Sequence, residues 1–226
     1  MKINVCLFSL LLCYTSLSQK AGIKYGIIGS NQYISTDSNS YFNRSVTHGY
    51  VGIEYEFTHS KSFLHILRSR RGMNDFYWIL ELSVSKKGSS NIHPLSFPEN
   101  LGKTYLTFSP RLKLFDHPRR NQYCRVYGCC DSDDYGKIKP YFTIYGGPKI
   151  DFLMSKNNGS EGYTKIISGA ILSFNTQIIC FNSGSVYTDL QFAYDFNNAF
   201  YSNGISARNY SIMFALGFKI RNSDNY

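Results

Sequence analysis

The sequence predicts an all-β fold: an eight-stranded, antiparallel, up-and-down β-barrel whose strands cross a membrane. Three observations predict it. The last regular segment, Tyr210–Ile220, is apolar or aromatic at every even position (Tyr210, Ile212, Phe214, Leu216, Phe218, Ile220). Its odd positions are mostly small or polar (Ser211, Ala215, Gly217, Lys219), with Met213 the exception. That is a period of two, one greasy face and one not, over the roughly 9–11 residues a tilted strand needs to cross a bilayer. Secondly, similar strands recur along the chain behind an export signal. Thirdly, aromatic residues make up 16% of the chain, with 19 Tyr and 17 Phe, while mean hydropathy stays below zero. Alternating membrane strands produce that combination, because polar lumen residues dilute the lipid-facing ones.

The signal is read from Lys2, a short positive region, followed by the apolar run Val5–Cys13. Ser16 and Ser18 then place small residues at −3 and −1, so cleavage is expected before Gln19. Leu12 is not the small residue that acylation of Cys13 would require. The signal peptide is thus residues 1–18 and a single barrel domain follows over residues 19–226. No stretch approaches 18 apolar residues, so only closed strands would carry this chain across a membrane.

The first strand spans about Ala21–Tyr33, with Ala21, Ile23, Tyr25 and Ile27 opposing Lys24 and Gly26. In the second, Gly49–Thr58, Val51, Ile53, Tyr55 and Phe57 oppose Tyr50, Gly52, Glu54 and Glu56. The third, Asp75–Lys86, sets Phe76, Trp78, Leu80, Leu82 and Val84 against Tyr77, Glu81, Ser83 and Ser85. The fourth, Lys103–Phe115, sets Leu106, Phe108, Leu112 and Leu114 against Tyr105, Thr107, Ser109, Arg111 and Lys113. The fifth, Lys139–Met154, opposes Phe142, Ile144, Ile150 and Phe152 to Tyr141, Thr143, Tyr145, Lys149 and Asp151. In the sixth, about Tyr163–Thr176, the pairs Ile166-Ile167 and Ile171-Leu172 blur the alternation. The seventh, Ser185–Phe196, has Leu190, Phe192, Tyr194 and Phe196 against Tyr187, Asp189, Gln191 and Asp195. Pro110 and Pro148 lack the N–H a ladder needs, so a bulge or a break in pairing is expected there.

With both termini in the periplasm, the odd-numbered connections lie outside the cell. These are Ile34–His48, Lys87–Gly102, Ser155–Gly162 and Asn197–Asn209, rich in Ser, Asn and Gly. Among the even ones, His59–Asn74 and Asp116–Ile138 are long for periplasmic turns. Ser60–Arg71 mixes Phe63, Leu64, Ile66 and Leu67 with Lys61, Arg68, Arg70 and Arg71. It reads either as a short basic amphipathic helix at the membrane surface or as an extension of the second strand.

If the polar face of each strand lines the lumen, six acids (Glu54, Glu56, Glu81, Asp151, Asp189, Asp195) meet five bases (Lys24, Arg111, Lys113, Lys149, Lys219). An eight-stranded barrel is just wide enough for its own side chains, and buried charges must pair. The expectation is a plugged lumen laced by ion pairs, which argues against a general porin. The formal charge is +9, or +8 without Lys2 of the signal, and the surplus then resides in the connections, notably Arg68, Arg70, Arg71, Arg119, Arg120 and Arg125. It points to outer-membrane lipid headgroups and lipopolysaccharide phosphates, or to acidic periplasmic or secretion-machinery proteins, as partners. No nucleic-acid motif is present, and a monomer is expected.

Beyond the signal the cysteines are Cys124, Cys129, Cys130 and Cys180, all placed in even-numbered turns. The periplasm permits disulfides, and a vicinal bridge between Cys129 and Cys130 would be strained. Cys180 is therefore expected to pair with one of Cys124, Cys129 or Cys130. The spacing of Cys124, Cys129 and Cys130 beside Asp131, Asp133 and Asp134 is not that of a zinc ribbon or finger, so no metal site is assigned. No cofactor is expected. The histidines are His48, His59, His65, His93 and His117, without HExxH, GxSxG or a phosphate-binding loop. His48 and His93 fall near the outer rim with Ser and Glu99 at hand, yet nothing fixes their spacing, and no catalytic residue is assigned.

Ala21-Gly22-Ile23-Lys24-Tyr25-Gly26, Phe76 to Gly88 with Ser85-Lys86-Lys87-Gly88, Lys139-Pro140-Tyr141 leading to Gly146-Gly147-Pro148, and Leu216-Gly217-Phe218-Lys219 occur in this order. The series resembles the first, third, fifth and closing strands of the outer-membrane β-barrel domain family of Bacteroidetes, which includes PorT-like proteins. The Cys-rich insertion and the long His59–Asn74 turn depart from it. The resemblance implies a fold and an outer-membrane location, and brings no catalytic residues with it. Three functions are thereby framed. The first is a non-enzymatic outer-membrane barrel serving envelope structure, surface interaction or secretion. The second is a small membrane enzyme hydrolysing lipid or peptide. The third is a soluble exported barrel holding an apolar ligand, as lipocalins do, which would require the faces to be inverted. Tyr50, Tyr77, Trp78, Tyr105 and Tyr210 near strand ends favour interface girdles and the first reading.

Overall fold

The computed structural model describes residues 20–36, 40–42, 44–59, 76–90, 102–116, 141–154, 162–181, 184–202 and 204–221. Over these residues the alternating segments form β1 (Lys20–Ser35), β2 (Ser40–Phe42), β3 (Arg44–His59), β4 (Phe76–Lys87), β5 (Ser89–Ser90), β6 (Lys103–Asp116), β7 (Tyr141–Leu153), β8 (Ile166–Phe181), β9 (Gly184–Asp195), β10 (Phe200–Ser202) and β11 (Ile205–Arg221). β2, β5 and β10 are short continuations of hairpins at one end. The other eight pair with their sequence neighbours, all antiparallel. β1 also pairs with β11 from Lys20↔Arg221 to Ser35↔Ser206, which closes the sheet into an eight-stranded antiparallel barrel.

Closure fixes the tilt. A row followed from strand to strand runs Phe57, Trp78, Leu112, Gly146, Leu172, Phe192, Ile212, Gly29. It returns to β3 at Thr47, not at Phe57. That stagger inclines every strand to the barrel axis and sets the lumen's width.

The two faces follow the period of two. In β11, Ser211, Met213, Ala215 and Lys219 are buried, while Ile212, Phe214, Leu216 and Ile220 are exposed. In β1, Lys24, Ile28, Ser30, Gln32 and Ile34 turn inward, and Ile23, Tyr25 and Ile27 outward. Charge lies inside and apolar surface outside: Arg111 is 1% exposed and Asp189 0%, against 67% for Tyr25 and 52% for Phe214. The blurred alternation of β8 resolves the same way, with Ile166 and Leu172 outward and Ile167 and Ile171 inward. Met213, the exception in β11, packs with Ile28, Tyr50 and Ala215 in a small apolar cluster of the lumen.

The prolines stand opposite one another. The β6–β7 pairing runs to Phe108↔Ile150 and resumes at Leu112↔Gly146, spanning Pro110 and Pro148. The register slip comes just beyond, between Lys113 and Phe115. The strands extend past several expected limits. β8 continues to Phe181, so Cys180 belongs to a strand and not to a turn. The signal region, the stretches 60–75 and 117–140, Cys124, Cys129, Cys130, His65, His93, His117 and Glu99 lie outside the described residues, as does the side chain of Cys180. The expected helix and disulfide therefore fall there too.

Candidate functional site

The inward positions of adjacent strands bring the charged residues together in two clusters. In the first, β1 contributes Lys24, β3 Glu54, β4 Glu81, β6 Arg111 and β9 Asp189. The Lys24 Nζ donates to Glu81 Oε2 and to Asp189 Oδ2, each at 2.6 Å, with Glu54 Oε2 3.7 Å away. On the other flank Arg111 pairs with Glu81 through Nη2. It lies 3.6 Å from Glu54 and 3.5 Å from Asp189, and its Nη1 donates to Ser173 Oγ at 2.7 Å. Gln191 Nε2 donates to Glu81 at 2.9 Å and Asp189 at 2.8 Å, and the Tyr50 hydroxyl donates to Glu81 Oε1. Toward the end that carries Lys20 and Arg221, Lys219 Nζ bridges Glu54 at 2.9 Å and Glu56 at 3.0 Å. Lys20 lies 3.9 Å from Glu56, and the charge of half-buried Lys113 also acts on Glu56.

Carboxylate oxygens of Glu54, Glu81 and Asp189 lie within 4.8 Å of one another, close enough to hold a metal ion. The Lys24 ammonium stands among them and the Arg111 guanidinium beside them. Three buried carboxylates are thus met by the cations Lys24, Arg111 and Lys219. Each charge is costly to bury alone by several kcal/mol, and the network is stable only as a whole.

The second cluster lies toward the opposite end. Lys149 Nζ donates to Asp151 Oδ2 at 2.6 Å and also pairs with Asp195. Lys87 Nζ donates to Asp151 Oδ1 at 2.7 Å and to Thr107 at 3.0 Å. Asn209 Nδ2 donates to Asp195 Oδ2 at 2.8 Å, and Asn209 Oδ1 accepts from Gln32 Nε2 at 2.9 Å. Two lysines balance two aspartates.

Inward glycines make room for these long side chains. A Cβ added at Gly217 would run into the Tyr187 ring, whose face carries the Lys219 ammonium 4.5 Å from its centroid. A Cβ at Gly52 would meet Tyr50 Oη at 3.0 Å and Lys24 Cε at 3.3 Å.

Above the second cluster the mouth is covered. Between β9 and β10 the chain tucks inward, so that Ala199, fully buried, packs with Tyr105, Ile167 and Leu153. Thr164 N donates to Ala199 O at 3.0 Å, and Tyr201 N to Gly162 O at 2.7 Å. Ile34, Phe200 and Ala207 pack beside this cover with Tyr163 and Ile205 against them.

Of the eleven charged residues expected in the lumen, ten are buried and Lys113 is half-buried. Sequence reasoning missed Lys87, which lies one residue beyond the expected end of its strand. It also missed the uncharged bridges Gln32, Ser173 and Asn209, whereas Gln191 was placed on the polar face. Their odd or even parity was the available signal. His48 does not join the buried clusters, and the charge that acts on it is that of Lys86, a cation.

No known family profile matches the chain, and no curated protein matches it. Solved structures do. Neisserial surface protein A is 10% identical, with 88% of this chain and 96% of that one covered and a TM-score of 0.41. OprG, an outer membrane protein from Pseudomonas aeruginosa, is 9% identical, with 91% and 97% covered and a TM-score of 0.42. The outer membrane protease OmpT from Escherichia coli is 10% identical, with 91% and 97% covered and a TM-score of 0.39. At these identities and scores the barrel assignment rests on the strand pairing and the faces described above.

Proposed function

We propose that this chain is a non-enzymatic outer-membrane barrel, exported by its N-terminal signal, that acts through its surfaces and not through its lumen. Its role would be envelope structure or surface interaction, or that of a secretion accessory of the PorT-like kind to which its sequence bears a resemblance. The observation that carries this reading is the pairing of an exposed apolar belt with a lumen filled by two charge-balanced clusters. Water tolerates the inside of such a molecule, and hydrocarbon the outside. The same arrangement weighs against a soluble apolar-ligand barrel, whose interior would be apolar. A rim hydrolase would need a Ser, a His and an orienting acid together, and among the described residues the charge beside His48 is that of Lys86.

The test is fractionation followed by electrophoresis. Full-length chain expressed with its signal should partition with outer membranes and migrate differently in SDS before and after boiling. A soluble periplasmic protein of unchanged mobility would refute the reading. Reconstituted into planar bilayers, the barrel should show no stable conductance steps, whereas steady open-channel currents would refute the plugged lumen.

A further inference from the structure

The described acids with described side chains all serve the lumen, yet the outer rim carries Arg44, Lys86, Lys103, Lys165 and Arg208, all cationic. Asp37, Glu99 and Glu161 of the outer connections lie outside the described residues. Of the rim cations Arg208 has the most constructed setting. It is exposed on the outward face of β11, directly across from Tyr33 of β1 and two residues from Tyr210. The Phe42 ring of β2, 61% exposed, lies 5.2 Å from that of Tyr33 and meets the ring of Tyr210 edge-on at 5.7 Å. Arg208 Nε donates to Asn198 Oδ1 at 3.0 Å, which orients the guanidinium from behind. The apolar belt of Ile212, Phe214, Leu216 and Phe218 begins immediately below on the same strand face.

Aromatic rings at the edge of an apolar belt belong at the headgroup level of a bilayer. A planar guanidinium held there presents a fork that fits phosphate oxygens. Resting on the outer-membrane reading above, we propose that the outward face of β2, β1 and β11 clasps a phosphorylated glycolipid of the outer leaflet. Arg208 takes the phosphate, and Tyr33, Phe42 and Tyr210 take the sugar and upper acyl region. The neighbouring rim cations strengthen the field.

The experiment is native mass spectrometry of the refolded chain released from detergent micelles, with diphosphorylated lipid A as the probe. The same lipid with its phosphates removed is the comparison. The wild type should retain the phosphorylated form at least about tenfold better, given a contribution of about fivefold per basic residue near an anionic surface. Arg208→Gln should lose roughly fivefold. Arg208→Lys should recover only part of that loss, because an ammonium keeps the charge without the fork. Asn198→Ala, which removes the orienting acceptor, should weaken retention in the same direction. Equal retention of the two lipids would overturn the proposal, as would an unchanged Arg208→Gln variant. Full recovery by lysine would overturn the clasp and leave charge alone. Displacement of lipid A by millimolar inorganic phosphate would overturn the assignment to a glycolipid. Each variant is first shown to give a heat-modifiable band. Absence of such a band in the wild type would count against the membrane reading itself, and so stands apart from failure of this inference.

Discussion

Arg111 is the residue on which the first lumen cluster turns. Its guanidinium lies against Glu81, Glu54 and Asp189, and its loss leaves buried carboxylates short of a cation. Arg111→Ala should destabilise the folded barrel by about 3–5 kcal/mol, read from urea unfolding in lipid vesicles. The double change Arg111→Met with Glu81→Gln should recover much of that, since it removes a charge of each sign. A loss in the double variant equal to or greater than the single one would show that the pairing itself is not what matters. A second residue-scale expectation concerns space. Gly217→Val places atoms where the Tyr187 ring lies and should destabilise by about 1–3 kcal/mol. Gly49→Ala, where a Cβ would meet nothing within 4 Å, should leave the thermal transition unmoved. Residue by residue, charge was the legible part. Formal charge on an inward parity is visible in a sequence, which is why ten buried ionic residues could be placed. Gln32 and Asn209 bridge through amides that look the same whether they face water or a lumen. Tyr187 over Gly217 is a relation between two strands that neither strand displays alone.

At the scale of the element, β11 and β8 mark the two extremes of legibility. β11 was readable because its outward residues from Tyr210 to Ile220 are all large and apolar, with only Met213 of similar character inward. β8 was not, because its lumen face carries Ile167 and Ile171 where no charge awaits a partner. The rule that apolar residues face out fails wherever the interior contains an apolar plug, and here Ile167 packs under Ala199 at the covered mouth. Strand ends were also imprecise, which is how Lys87 was passed over and Cys180 placed in a turn. The outward row of β11 allows a depth measurement. Phe214→Arg, midway along the row, should cost about 2–4 kcal/mol, and Ile220→Arg, near its end, about 0–1 kcal/mol. Chemical denaturation of each variant in the same vesicles checks this. Equal penalties at both sites would mean that the belt is not embedded in hydrocarbon as a depth-graded surface.

At the scale of the whole molecule, strand number, direction and the order of pairing were all implicit in the alternation. The stagger was not, because it depends on how the first strand meets the last. The cover over the mouth was likewise hidden. It arises in the few residues between β9 and β10, where Phe196 still bonds to Ser168 of β8 but Ala199 turns inward against Tyr105 and Ile167. Together the cover and the clusters predict an electrically silent barrel. Removing Lys149 with Asp195 as a pair, by Lys149→Ala with Asp195→Ala, should still leave Lys87 bound to Asp151 and the Tyr105, Ile167 and Ala199 packing in place. Bilayer recordings of that variant should therefore remain closed, and frequent openings would show that the second cluster alone holds the seal.

The seam between β1 and β11 has a consequence for biogenesis. The strand that begins the described barrel is zipped along its full length to the strand that ends it. Lys24 likewise finds Asp189 across 165 positions of chain. A ribosome must therefore finish its work before this molecule can complete itself. Until then both terminal strands would offer bare hydrogen-bonding edges, which invite mispairing. A stop codon within β11 would therefore remove the seam that closes the barrel instead of trimming one strand from it.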